Sequence, residues 1–166
     1  MKGLSEKEIK VIAELEFEQK YYFTKKDIAH NFDNKSKIKD FIYRLLKKGR
    51  IVKINRQKYY LIPIKAKIGK WTDNPFIIAD QICDSKDYFI GGWAAANYWH
   101  LTDQVPMQID VYTTRRQGKV RLLNNRFVFH HTTRRKIEKA VTEKIGDRKF
   151  RIISKEGAAK WLKSKE

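Results

Sequence analysis

From Tyr88 to Thr102 the chain reads "YFIGGWAAANYWHLT" and carries no charged side chain, although Lys plus Arg number 37 and Asp plus Glu 19 in its 166 residues. Burying an unpaired charge costs several kcal/mol or more, so a charge-free run in so charged a chain marks a segment bound for the interior. Gly91, Gly92, Ala94, Ala95 and Ala96 have almost no side-chain bulk and let a helix backbone lie close to a neighbour. Trp93, Tyr98, Trp99 and Leu101 are expected to supply the area that holds it there, each large aromatic burying roughly 150–250 Å². The expectation is the core-facing helix of a second domain, with Trp93 and Trp99 as core residues. A phosphate-binding glycine loop is the alternative, and "GGW" lacks the spacing of either glycine-rich phosphate motif.

Upstream, residues 1–66 read as one unit. Ser5 with Glu8 forms a capping box ahead of Val11, Ile12 and Leu15. Thr24 with Asp27 repeats that signal ahead of Ile28, Ala29 and Phe32, predicting a short second helix. Ile38, Phe41, Ile42, Leu45 and Leu46 then fall at the spacing of a buried helical stripe. Lys47 and Lys48 suit the negative end of that helix, and Gly49 suits its C′ position. Ile51–Ile54 and Tyr59–Ile62 flank the polar turn "NRQK", which predicts a hairpin closed off by Pro63. Three helices and a hairpin in this order are those of a winged helix-turn-helix, in which a braced helix offers its polar face to a DNA major groove. Asn34, Lys35, Ser36, Lys37 and Lys39 cluster at the start of that third helix, and Arg56, Gln57 and Lys58 at the hairpin turn. A solvated basic surface would look the same residue by residue; the order of elements and the placement of the charges favour DNA.

Residues 65–70 read as a basic connector, and residues 67–166 as an α+β domain built on an antiparallel sheet. Asn74 and Pro75 open a helix reaching Cys83. "QIDVYTT" alternates as a strand. "KVRLL" and "RFVFHHT" flank Asn124-Asn125, and "AVTEKI" and "RKFRIIS" flank Gly146-Asp147, so two hairpins are expected. Ser154 caps a last helix. Charge splits unevenly: residues 1–66 hold 17 basic and 8 acidic residues, 67–110 hold 3 and 6, and 111–166 hold 17 and 5. A net +18 points to a polyanionic partner that could touch both units.

Catalytic signals are thin. His130 and His131 are adjacent on a strand and point to opposite faces, and no second His-x-Thr accompanies "HTT". Asp110 lacks the acid-x-Lys partner of a metal nuclease, and no P-loop or Gly-x-Ser-x-Gly elbow occurs. The lone Cys83, in "PFIIADQIC", reads as a buried reduced thiol. No enzyme activity, metal or cofactor is expected. No apolar run of roughly 18 residues or more and no signal-peptide h-region occur, so a cytoplasmic protein is expected.

The order of elements followed by "YFIGGWAAANYWHLTDQVPMQIDVYTT" resembles the AbiEi antitoxins of bacterial type IV toxin–antitoxin systems. The most specific part is the aromatic-Ile-Gly-Gly-Trp-Ala-Ala run with Tyr98, then "HLTDQ" and a strand opening on Gln108-Ile109. "FRIISKEGAAKWL" is similar to the strand and helix that follow in that family, although Lys155 and Gly157 stand where it more often has Pro and Arg, and the chain stops sooner after that helix. The resemblance implies a DNA-binding autorepressor of its own operon. It implies a functional counterpart, a nucleotidyltransferase toxin, countered without a stable complex. It also gives DNA binding to the N-terminal domain and neutralisation to the C-terminal one. The residues expected to contact duplex DNA are Lys35, Ser36, Lys37, Lys39, Arg56 and Lys58. Arg115, Arg116, Arg134 and Arg135 are candidates for neutralisation or a second nucleic-acid surface. RNA binding through the basic sheet, and a nuclease targeted by the winged helix, are the rival readings.

Overall fold

The structure, a computed structural model, describes residues 3–66 and 71–165. It falls into two compact units, Met1–Trp71 and Thr72–Glu166, so the division comes a few residues after the expected break at 66/67. The last four residues of the expected connector, Lys67 to Lys70, lie outside the described residues.

In the first unit, α1 (Glu6–Phe17) starts at the expected box: Glu8 N donates to Ser5 Oγ at 3.3 Å and Ser5 N to Glu8 Oε2 at 2.7 Å. Glu8 is only 1% exposed, and its carboxylate also takes Lys48 Nζ at 2.6 Å and faces Arg44 Nε at 3.4 Å. Burial alone would raise its pKa, but the hydrogen bonds from Lys48 and Ser5 prevail and hold the carboxyl below its ordinary value. Both cations belong to the end of α2 (Lys35–Lys47), where Lys48 is the C-cap, so one carboxylate caps the first helix and clamps the second. On α2 the apolar stripe is buried at Ile38, Phe41, Ile42 and Leu45. Leu46, counted in that stripe from the sequence, is 37% exposed, because it drifts to the flank of the face its neighbours bury.

The predicted second helix is not a helix. Thr24 does bond Asp27, through N at 2.6 Å and Oγ1 at 2.8 Å, but Thr24 is the last residue of a strand, β1 (Tyr22–Thr24). Phe32 and Asn34 are already extended, which leaves room only for a turn and one 3-10 turn, Ala29–Asn31. β1 pairs antiparallel with β3 (Lys58–Leu61), which pairs with β2 (Ile51–Lys53), giving the order β1-β3-β2. The expected hairpin is therefore two strands of a three-stranded sheet. Phe23 of β1, Phe41 and Leu45 of α2 and Leu61 of β3 meet Ile12 of α1 in one core.

The second unit opens with α3 (Pro75–Ile82), capped by Asn74 through Phe76 N at 2.9 Å. There follow β4 (Tyr88–Gly91), α4 (Gly92–Tyr98), β5 (Ile109–Thr113), β6 (Gly118–Leu122) and β7 (Asn125–His131). Then come α5 (Arg134–Glu138), β8 (Val141–Ile145), β9 (Arg148–Ile152) and α6 (Lys155–Lys163), the last capped by Ser154. The class is α+β as expected, but the sheet is mixed rather than antiparallel. Its order is β6-β7-β5-β4-β9-β8, with β5–β7 and β4–β9 parallel. Both late hairpins form, and each sends its first strand to the outer edge and returns its second strand inward beside the central pair. A returning strand antiparallel to its own partner is then parallel to the strand it meets.

The β6–β7 turn sits one residue earlier than expected. Leu122 pairs with Asn125, so the turn residues are Leu123 and Asn124, at φ 49 and 63. Leucine rarely adopts positive φ. Here the Leu123 carbonyl accepts from Thr72 Oγ1 at 2.5 Å and Asn125 Nδ2 at 2.8 Å.

The charge-free run becomes β4 and α4. Ala94, Ala95 and Ala96 are fully buried, and a Cβ on Gly91 would come 2.7 Å from the Tyr112 ring. At Gly92, φ is +63 and a Cβ would come 2.6 Å from Asp110 Oδ2, so no L side chain fits. Trp93 and Trp99 are half-buried rather than core residues. Trp93 sits edge-to-face on Trp161 at 5.3 Å, and Trp99 Nε1 donates to Ile153 O at 2.9 Å. The small residues, rather than the tryptophans, face the interior, and the bulky rings seal its border.

Candidate nucleic-acid interface

Asn34 is extended and its Oδ1 accepts from Lys37 N at 3.0 Å, so α2 begins at Lys35 with Lys35, Ser36 and Lys37 as its first turn. No acidic residue lies in that turn. The helix macrodipole favours anions at this end, by about 0.3–1 kcal/mol each, and disfavours cations. α1 obeys this rule with Glu6 and Glu8, and α2 breaks it with lysine. A bound anion would convert the disfavoured arrangement into a favoured one.

Lys35, Ser36, Lys37 and Lys39 are all exposed. Lys37 Nζ is engaged with Asp33 at 2.5 Å, an exposed i,i+4 pair that a phosphate could displace at little cost. The sequence-based expectation reached Lys39 and left out the rest of the face. Ser36, Lys39, Tyr43 and Lys47 follow one another at helical spacing opposite the buried stripe, and Tyr43 is 64% exposed. Lys47 Nζ lies 6.0 Å from its ring centre. The signal was available: these positions are the complement of Ile38, Phe41, Ile42 and Leu45.

The β2–β3 turn is built by Asn55, whose Oδ1 accepts from Gln57 N at 3.0 Å and Lys58 N at 2.9 Å. That local ring puts Arg56 and Gln57 at the exposed tip. Lys58 is half-buried in β3, opposite Thr24, and is a strand residue rather than a tip residue.

The four C-terminal candidates divide in two. Arg115 is tied down, with Nη2 on Asp87 Oδ2 at 3.0 Å and Nη1 on Cys83 O at 3.3 Å. Arg116 lies 4.1 Å over the Phe129 ring. Both fasten the β5–β6 loop to its surroundings. Arg134 and Arg135 start the short helix α5 and are exposed.

Two cross-strand pairings are not visible in the sequence. Arg121 lies directly across from Arg126 in the β6–β7 hairpin, and Lys144 across from Lys149 in β8–β9, and all four are exposed. Like charges directly opposite destabilise a ladder. The pairs become visible only with the register, which the turn position sets.

His130 and His131 part to opposite faces as alternation requires. His130 Nε2 lies 2.8 Å from Asp110 Oδ1, which also accepts from Gln108 Nε2 at 3.1 Å. Among the described residues no group of three or more His, Cys, Asp or Glu side chains could hold a metal ion. Cys83 is buried and its thiol is pushed up to about 12 by that burial, so it is protonated at neutral pH. No described helix is long and apolar enough to cross a membrane. No protein-family model matches the chain, and comparison with curated proteins finds no match.

Proposed function

We propose that the protein is a DNA-binding transcriptional autorepressor whose first unit is a winged helix-turn-helix, with α2 as recognition helix and the β2–β3 hairpin as wing. The observation that carries this reading is the run of lysines at the start of α2, against its own dipole, continued along an exposed face by Lys39, Tyr43 and Lys47. The resemblance of the second unit's sequence to AbiEi antitoxins extends the reading. The protein would then be the antitoxin of a type IV system, countering a nucleotidyltransferase toxin through its second unit without a stable complex. The opposed Arg121–Arg126 and Lys144–Lys149 pairs support a second anionic contact there, to the operator flanks or to RNA.

Binding of the full chain to duplex DNA from upstream of its own reading frame tests the first part. If about 6 phosphates are neutralised, the log–log slope of affinity against salt should be near −5. Lys39→Ala with Arg56→Ala should flatten that slope by about 2 and abolish repression, since each lost phosphate contact removes about 1. The same variant, expressed from an unrelated promoter, should still protect against the toxin. Salt-independent binding would overturn the DNA reading. Loss of protection together with repression would overturn the division of labour.

A further inference from the structure

A cleft of about 580 Å³ opens in the second unit between α5, α6 and one face of the sheet, a size within the range of small-ligand pockets. Its cationic wall is Lys136 of α5, Lys139 at that helix's C-cap and Lys160 of α6, all exposed, against the single carboxylate of Glu156. None of the three ammonium groups has an ion-pair partner among the described residues, so three cations stand against one carboxylate in the lining. The start of α6 adds to that excess. Ser154 Oγ takes the Gly157 amide at 3.2 Å, and Ser154 and Glu156 both line the cleft.

The other wall is aromatic. Phe89, Tyr112 and Trp161 line it. Phe89 and Tyr112 stack at 5.0 Å and 6°, and Tyr112 stacks on His130 at 4.8 Å, so these rings cover one another's faces across β4, β5 and β7. Trp161 is held by the edge-to-face contact with Trp93. Rings locked by packing form a rigid platform at little entropic cost on binding. Inorganic phosphate would use the lysines and leave this wall empty; an apolar ligand would leave three lysines unmatched.

From this juxtaposition we infer that the cleft binds a nucleoside phosphate, its phosphates on Lys136, Lys139 and Lys160 and its base against Trp161 and the edge of the Tyr112 stack. The ligand is either a free nucleotide or the phosphorylated end of a single strand. The site is independent of the α2 surface.

Calorimetric titration of the full chain with adenosine and guanosine triphosphates tests it, with inorganic triphosphate as the probe lacking a base. Saturable nucleotide binding is expected, with inorganic triphosphate at least about tenfold weaker. Lys136→Glu and Lys160→Glu, both at exposed positions, should each weaken nucleotide binding by about tenfold or more. Trp161→Leu should bring nucleotide and inorganic triphosphate to the same affinity. A 5′-phosphorylated oligonucleotide that displaces the nucleotide, where its 5′-hydroxyl counterpart does not, assigns the ligand to a strand end; failure of both to displace assigns it to the free nucleotide. The inference is overturned by the absence of saturable binding, by equal affinity for inorganic triphosphate in the unmutated chain, or by indifference to both lysine reversals.

Discussion

The two units handle excess positive charge in different ways. In the first, the cations that serve the fold and those that face outward are separated along one helix. Arg44 and Lys48, at the end of α2, converge on the buried carboxylate of Glu8, whereas Lys35 and Lys39 at its start have no ion-pair partner among the described residues. In the second, structural and outward cations alternate along the chain. Arg115 and Arg148 are paired with Asp87 and Asp73, while Arg121 and Lys144 face their own kind across a hairpin. The difference follows from periodicity. A helix gathers its exposed residues into one stripe, so a basic face can be read from spacing. A hairpin joins residues whose separation depends on the turn, so a basic ladder appears only when the register is known.

If each unit stands on its own core, breaking one should spare the other. Phe41 is fully buried in the first unit, tilted against Phe32 at 5.0 Å. Phe41→Ala should cost about 3–5 kcal/mol and melt that unit at a lower temperature. Amide exchange should speed up through α1 and α2, while β5 and β7 keep their protection. Loss of protection throughout the chain would show that the units fold as one.

The second comparison concerns how each unit fastens its parts. The first uses an ion cluster, the second a buried hydroxyl. Tyr88 OH donates to Asp80 Oδ1 at 2.7 Å and accepts from Arg151 N at 2.9 Å, and Asp80 Oδ2 takes Ser85 Oγ at 2.7 Å. β4 and β9 share a single bridge, Ile90 with Ile152, so this network reinforces the thinnest seam of the sheet. Burial and the neighbouring Asp80 raise the Tyr88 pKa, so the hydroxyl stays a donor at any ordinary pH. Tyr88→Phe removes the donor and leaves Asp80 short of a partner, which should cost about 1–3 kcal/mol. The loss should appear in chemical denaturation as opening of the β8–β9 edge. A variant as stable as the parent would mean that packing alone holds the seam.

These seams also explain what the sequence did and did not disclose. Caps and stripes are local, so Ser5 with Glu8, Asn74 with Pro75, Ser154 and the Ile38–Leu45 stripe were legible. The Thr24–Asp27 signal was read correctly as a hydrogen bond and wrongly as a helix start, because the same bond suits a turn leaving a strand. β1 is three residues long and exists through its pairing with β3, which no local pattern encodes. Both parallel pairings were missed for the same reason. On the candidate surface, Lys35, Ser36, Lys37, Lys39 and Arg56 were picked out by clustering, and they are exposed. Tyr43 was passed over as an ordinary helix residue, and Arg115 and Arg116 were grouped with free charges because their partners, Asp87 and the Phe129 ring, are distant in sequence.

The smallest expected effect separates the two accounts of the basic ladders. Arg121 and Arg126 face each other with both side chains exposed, so solvent screens their repulsion and the cost to the fold is modest. Relieving it with Arg121→Thr, which also suits a strand, should raise stability by about 0.2–1 kcal/mol. If the ladder is an anion-binding surface, the same substitution should weaken nucleic-acid binding and flatten its salt slope by about 1. Stability and affinity would then move in opposite directions, as expected where a residue is kept for a partner at the expense of the fold. Should the variant gain stability and bind as before, the pair is solvated surface, and the anionic contact of the second unit must be sought at Arg134 and Arg135 instead. Should it lose stability, the two guanidinium groups are not in repulsive contact, and the contrast between a sorted helix and a strained ladder fails.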